Sequence, residues 1–371
     1  MTPPQPSLSS EHPQLKGWIH KSCTIVERLD GKLALVTGAN CGIGLSIVAE
    51  LARRGCRVIM ACRNLERGRA AKELILSQYG SSRPDSVKVA VADVCVIPSL
   101  TTVESDLLIL EKLDLASLDS VKDFANRVSE NFSKLDFLIN NAGVIAKDYA
   151  TTVDGFEMTM GTNYLGPFLL TRLLLPLLER GAPSRVINVS SMGHYYGKIC
   201  KPDLQLQKES YSSPRAYCHS KLTNVMHAIE LNERMKGTGV MAVSLHPGTV
   251  QTELLRDMQD WKHVSLLLFN QFTGYVVVVT GSNSNNLTVQ TSLDSKTILK
   301  AVLFPFLVNP WQGAQTVIYT VLTENLVPGG YYSNCKVAQP NRLVHDEVER
   351  RWFWKKSCEL VGISQDAERN D

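Results

Sequence analysis

Leu33-Ala34-Leu35-Val36-Thr37-Gly38-Ala39-Asn40-Cys41-Gly42-Ile43-Gly44 passes from a short apolar run, the mark of a buried strand, through three glycines into an amphipathic helical pattern that ends near Gly55. Glycine at Gly38, Gly42 and Gly44 lets the backbone turn sharply and lets a pyrophosphate approach the N–H groups and positive dipole of the helix start. With Asn40, Cys41 and Ile43 between them, these residues form a candidate dinucleotide cradle. Three glycines also serve tight strand–helix packing; the strand before and the helix after favour the binding reading.

Outward from this stretch, β-prone runs at 58–60, 137–139, 186–189 and 240–245 alternate with helical patterns. Strands alternating with helices predict an α/β fold: one Rossmann-type, doubly wound parallel sheet with helices on both faces. The domain is expected over 31–362, after a polar extension (1–30) and before a tail (363–371). Two Ser/Thr/Asn-rich stretches, about 81–106 and 270–296, break the rhythm and read as insertions.

The chain has 371 residues, 44% of them apolar, enough for a large core and too apolar for a disordered or fibrous protein. Lys+Arg total 39 against Asp+Glu 36, a formal charge of +3 with no basic block, so no nucleic-acid groove is expected. Nine cysteines with no C-x-x-C pair indicate neither a metal site nor a disulfide framework. The first thirty residues hold no apolar run of signal-peptide length, and the stretch 264–279, broken by Asn270, Gln271 and Gly274, falls short of the roughly 18 to 20 residues that span a bilayer. A cytoplasmic protein is expected, with peripheral attachment to an organelle membrane as the alternative. The apolar run 298–308 either roofs a pocket, the favoured reading, or lies against a membrane.

Near the end of the second strand, an acidic residue would accept the ribose 2′-OH of NAD. This chain reads Val58-Ile59-Met60-Ala61-Cys62-Arg63-Asn64 there, with no carboxylate, and the Arg63 fork suits a 2′-phosphate. NADP(H) is the expected cofactor. Further on, Tyr217 and Lys221 share one helix face. A phenol titrates near pH 10, and a neighbouring ammonium favours its phenolate, which makes Tyr217 a usable proton donor or acceptor. Ser190 and Ser191 follow one strand, and Asn140, Asn141, Ala142 and Gly143 another, where ligands bind in open α/β sheets. A hydroxyl there can hold a carbonyl oxygen, and the small residues leave space for an adenosine ribose.

These motifs resemble the classical short-chain dehydrogenase/reductases, and Ala61-Cys62-Arg63-Asn64, Leu113-Asp114-Leu115-Ala116-Ser117-Leu118, Ala216-Tyr217-Cys218-His219-Ser220-Lys221-Leu222 and Leu245-His246-Pro247-Gly248 resemble the NADP(H)-preferring retinol dehydrogenase group. The resemblance spans roughly 30–362 apart from the insertions. It implies hydride transfer between the cofactor and a lipophilic aldehyde, ketone or alcohol of the retinal/retinol type. Tyr217 would be the general acid, Lys221 would lower its pKa and hold the nicotinamide ribose, Ser191 would orient the carbonyl, and Asn163 would hold a relay water. Asp114 and Leu115 would lie at the adenine, Asn141, Ala142 and Gly143 along the adenosine ribose, and Pro247, Gly248, Val250 and Thr252 over the nicotinamide carboxamide. Leu108–Lys112 is expected as the strand before Asp114, with 87–94 as its competitor. A dimer or tetramer through the helices of Asn163 and Tyr217 is implied as well. The rival reading is a non-catalytic dinucleotide-binding or scaffold protein whose insertions block the pocket.

Overall fold

The computed structural model describes residues 21–81, 102–250 and 307–364. In chain order the first half runs β1 (Leu33–Thr37), α1 (Gly42–Arg53), β2 (Arg57–Cys62), α2 (Leu65–Tyr79), β3 (Leu108–Lys112), α3 (Leu118–Asn131), β4 (Phe137–Asn140) and α4 (Met158–Met160). There follow α5 (Gly166–Arg180), β5 (Ser184–Val189), α6 (Ser213–Arg234), β6 (Val240–His246), β7 (Thr249–Val250), β8 (Leu307–Val308), α7 (Pro310–Leu322), β9 (Tyr331–Ser333), β10 (Lys336–Ala338) and α8 (Glu347–Val361). The main sheet has the order β10-β9-β6-β5-β4-β1-β2-β3 and is parallel except for the β9–β10 hairpin.

Both faces of this sheet are covered, which is why its strands read as continuous apolar runs. Leu33, Leu35, Ile59, Ala61, Leu138 and Val186 face one core, shared with Phe124 of α3, Phe168 of α5, Met226 of α6 and Trp354 of α8. Their neighbours Ala34, Val36, Val58, Met60, Ile139 and Ile187 face the other, with Leu45 of α1, Ile75 of α2 and Val317 of α7. The order in which strands are added reverses between β1 and β4, and in open parallel sheets the binding crevice lies at the carboxyl ends of the strands at such a switch point.

Leu108–Lys112 pairs in parallel with β2, the expected strand position, and the Val103 N–H donates to the Tyr79 carbonyl (2.8 Å), so the end of the first insertion returns to α2. The competing segment 87–94, the second insertion, the apolar run 264–279, most of 298–308 and Thr252 lie outside the described residues. Within the segment read as a polar extension, Cys23 and Leu29 are buried, and the Cys23 N–H donates to Gln315 of α7 (3.1 Å).

α1 is tied to α7 by a buried carboxylate. Glu50 accepts from Arg53 (2.8 Å), Arg54 (2.7 Å) and the Trp311 indole (3.1 Å). Burial alone would raise its pKa, but the two guanidiniums and the bonds from Arg54 and Trp311 outweigh it and hold the carboxyl below 4.5. A depressed carboxyl contributes fully above its unfolded pKa and loses that contribution as pH falls through the folded value. Glu50→Gln leaves the guanidiniums uncompensated and should cost about 3–5 kcal/mol in urea unfolding at pH 7. The deficit should shrink below about pH 4.5; a deficit equal at both pH values would contradict this account.

Candidate active site

The glycine loop closes on itself. Gly38 and Gly42 have φ of 66° and 53°, the left-handed region that favours glycine. A Cβ on Gly44 would lie 2.2 Å from the Gly38 carbonyl oxygen and 2.6 Å from Asn141 Nδ2. Only glycine lets α1 start this close to the end of β1. No side chain caps the helix at Cys41, and its first turn carries no acidic residue. Thr37 ties β1 to β4: its hydroxyl accepts from the Asn141 and Ala142 N–H groups (3.0 Å each), and Asn141 Nδ2 donates to its carbonyl (2.9 Å). Asn40 and Ile43 are half-buried beside the loop. Ile43 and Val250 both close on Gly313 of α7, where a Cβ would stand 3.2 Å and 2.7 Å from their side chains.

Arg63 follows β2 and is exposed, while Asn64 caps α2 by accepting from the Arg67 N–H (2.9 Å). After β3, Asp114 is half-buried and accepts from the Ala116 N–H (3.0 Å); Leu115 is buried, its carbonyl held against Gly166. Pro247 is buried after β6, and Gly248 turns with φ 94°.

Four residues converge at the ends of β4 and β5. Asn163 lies in a π-helical turn, Gly161–Leu165, a local widening common at functional sites. Its Nδ2 donates to the Val144 carbonyl (2.9 Å) and the Ser220 hydroxyl (3.0 Å), and its Oδ1 accepts from the Val144 N–H (2.7 Å). A Cβ built on Gly143 would lie 3.4 Å from Lys221 Nζ and 3.5 Å from Asn163 Oδ1. Lys221 is buried, donates to the Val189 carbonyl (3.0 Å) and stands 5.6 Å from the Tyr217 ring centre. Burial pushes its ammonium down to about 8.

Tyr217 differs from the sequence expectation. Burial raises its phenol to about 12, while a hydrogen bond with the Ser191 hydroxyl draws it down. Desolvation of the phenolate is the larger effect, so burial moves this phenol in the direction opposite to the one expected from a neighbouring ammonium. Ser191 caps a 3₁₀ turn, Met192–Tyr196, accepting from the Gly193 N–H (3.1 Å). His219 is buried with Nε2 2.7 Å from the Leu204 carbonyl oxygen.

Beneath these residues runs a buried polar ladder. Asn140 donates to Thr171 and to Asn188 (3.0 Å each), and Asn188 Nδ2 meets the Asn224 carbonyl (3.2 Å) and His227 Nδ1 (3.1 Å). Asn224 donates to the same Val189 carbonyl that holds Lys221 (3.4 Å). Sequence reasoning missed Thr37, Asn224 and His227. Asn224 was reachable, because Tyr217, Lys221 and Asn224 stand at i, i+4 and i+7 on one helix face.

The family model described as short chain dehydrogenase matches residues 32–99 and 94–263. Retinol dehydrogenase 11 of Mus musculus is 37% identical over 346 residues, 93% of this chain and 90% of the relative. Retinol dehydrogenase 13 of Homo sapiens is 35% identical over 350 residues, 94% and 90% of the two chains. Among solved structures, an uncharacterized protein from Mycobacterium Paratuberculosis superposes with a TM-score of 0.63 at 27% identity, over 93% of this chain and 98% of that one. Pseudomonas aeruginosa RhlG, solved as an NADP active-site complex, shares the fold at a TM-score of 0.52 and 22% identity, covering 82% and 94%. With this sheet order and these motifs, the chain belongs to the short chain dehydrogenase family and, within it, to the retinol dehydrogenase group: it is an oxidoreductase on a Rossmann-type sheet.

Proposed function

We propose that this protein is an NADP(H)-dependent reductase that interconverts a lipophilic aldehyde or ketone with its alcohol, retinal and retinol being the leading pair. One observation carries the reading: Asn163, Lys221 and Gly143 meet within a few ångströms, and Ser191 hydrogen-bonds the Tyr217 phenol, all at the carboxyl edge of the sheet. The names of the relatives support the retinoid class.

The residues present fit a nicotinamide dinucleotide. The uncapped start of α1, the glycine approach at Gly44 and the small residues Ala142 and Gly143 leave room for a pyrophosphate and ribose. Exposed Arg63, with no carboxylate between Val58 and Asn64, supports a 2′-phosphate. When bound, the reduced cofactor supplies the hydride.

Ser191 donates a hydrogen bond to the substrate oxygen and Tyr217 gives it a proton. The Lys221 ammonium stabilises the phenolate that remains, and Val189 fixes its height on α6. Both amide hydrogens of Asn163 are committed, which leaves the second lone pair of Oδ1 to accept from a relay water. In this reading Asp114 and Leu115 lie at the adenine and Pro247, Gly248 and Val250 at the nicotinamide, while Thr252, assigned to the nicotinamide from sequence, lies outside the described residues. Peripheral membrane contact and self-association belong to the same proposal. None of the helices among the described residues is long and apolar enough to cross a membrane.

Tyr217→Phe should leave NADPH binding nearly intact and cut turnover of all-trans-retinal by about 10² to 10⁴; full activity in this variant would remove Tyr217 from the chemistry. Arg63→Ala should weaken NADPH far more than NADH in fluorescence titrations, and equal losses would detach Arg63 from the 2′-phosphate. Because Lys221 is held near 8 and Tyr217 near 12, the rate of reduction should fall as pH rises through about 8, when the ammonium is lost while the phenol keeps its proton. A rate flat to pH 10 would contradict the role given to Lys221.

A further inference from the structure

A serine hydroxyl that must polarise a carbonyl needs a fixed backbone beneath it. The Ser191 carbonyl accepts two bonds from one residue: the His194 N–H at 3.0 Å and His194 Nδ1 at 2.7 Å. On the other side of the ring, the Asn341 N–H points at His194 Nε2 (3.2 Å). A backbone N–H can only donate, so Nε2 accepts and the ring proton sits on Nδ1, facing Ser191. Burial keeps the imidazole neutral, pushed down to about 4, so this arrangement persists through the neutral range. The ring is wedged between Tyr195 (4.0 Å) and Tyr331 of β9 (4.6 Å). Asn341 Nδ2 donates to the His194 and Tyr195 carbonyls (3.1 Å each), while its Oδ1 caps the next turn at the Leu343 N–H (3.0 Å).

We propose that His194 is a positioning residue: its Nδ1–H locks the Ser191 carbonyl, and Asn341 locks the turn whose Gly193 N–H orients the Ser191 hydroxyl beside Tyr217. The segment after β10 thereby sets the geometry with which the substrate carbonyl is polarised. This inference rests on the roles proposed above for Ser191 and Tyr217. A histidine that merely filled space would need neither ring bond, and its loss would move stability and cofactor binding together.

The test compares purified full-length His194→Asn, His194→Gln and Asn341→Ala with the unmodified chain. The readouts are kcat and KM for all-trans-retinal at saturating NADPH, NADPH Kd and thermal midpoint. Asparagine can set its amide N–H where Nδ1 stood, whereas glutamine reaches only toward the Nε2 position. His194→Asn should stay within about threefold of the parent kcat, and His194→Gln should lose about 10- to 100-fold with NADPH Kd unchanged, the scale of a misplaced catalytic group. Equal kcat in the two histidine variants, or parallel losses of kcat, NADPH affinity and thermal midpoint, would overturn the inference while leaving the reductase reading in place. If the histidine variants do not fold, Asn341→Ala decides, through a several-fold fall in kcat at constant NADPH Kd or the absence of one. No turnover by the unmodified chain would remove the reductase reading and this inference with it.

Discussion

The start of α1 lies against the end of β1 at a distance that no side chain permits, and the site's geometry follows from that contact. At Gly44 a single added carbon would meet the Gly38 carbonyl at 2.2 Å. Asn141, at the end of β4, sits in the same contact and hands its amide to Thr37 (2.9 Å). One tight junction therefore fixes the helix start and ties the carboxyl ends of the paired strands β1 and β4 together beside it. The helix dipole and uncapped N–H groups then face the place where the strand order reverses.

The second constraint is electrostatic. Burying a phenol and an ammonium side by side costs each its charged form, and the shifts run in opposite directions, Tyr217 up to about 12 and Lys221 down to about 8. Burial therefore favours the neutral form of both groups. The ladder through Asn140, Asn188, Asn224 and the Val189 carbonyl holds the ammonium in register with β5. His227 at its base is kept neutral by burial and, secondarily, by the Arg172 guanidinium.

Much of this was legible in the sequence because it rests on local rules. The strand–glycine–helix passage, the i, i+4 pair Tyr217 and Lys221, and the small residues after β4 and β5 each follow from short-range pattern, and the mostly parallel, doubly wound sheet follows from the alternation of strands and helices. What escaped was non-local or conformationally unusual. β9 and β10 are three residues each, turned by Asn334 and Cys335 at φ 53° and 56°, and cysteine gives no turn signal. His194 and Asn341 lie far apart in the chain, so no spacing rule joins them. The direction of the Tyr217 shift escaped because it is set first by burial, which the sequence does not display.

The family membership, the sheet and the convergence of Ser191, Tyr217, Lys221 and Asn163 support an account in which a reduced nicotinamide and a lipophilic carbonyl meet at the carboxyl edge of β4 and β5. The most direct test is label transfer. The purified chain is given all-trans-retinal and NADPH deuterated at the reactive nicotinamide carbon, and the alcohol product is examined by mass spectrometry. The account predicts retinol carrying one deuterium from the face of the cofactor presented to the substrate. NADPH that binds tightly but delivers no label to retinal or to any of a panel of lipophilic aldehydes and ketones would contradict it.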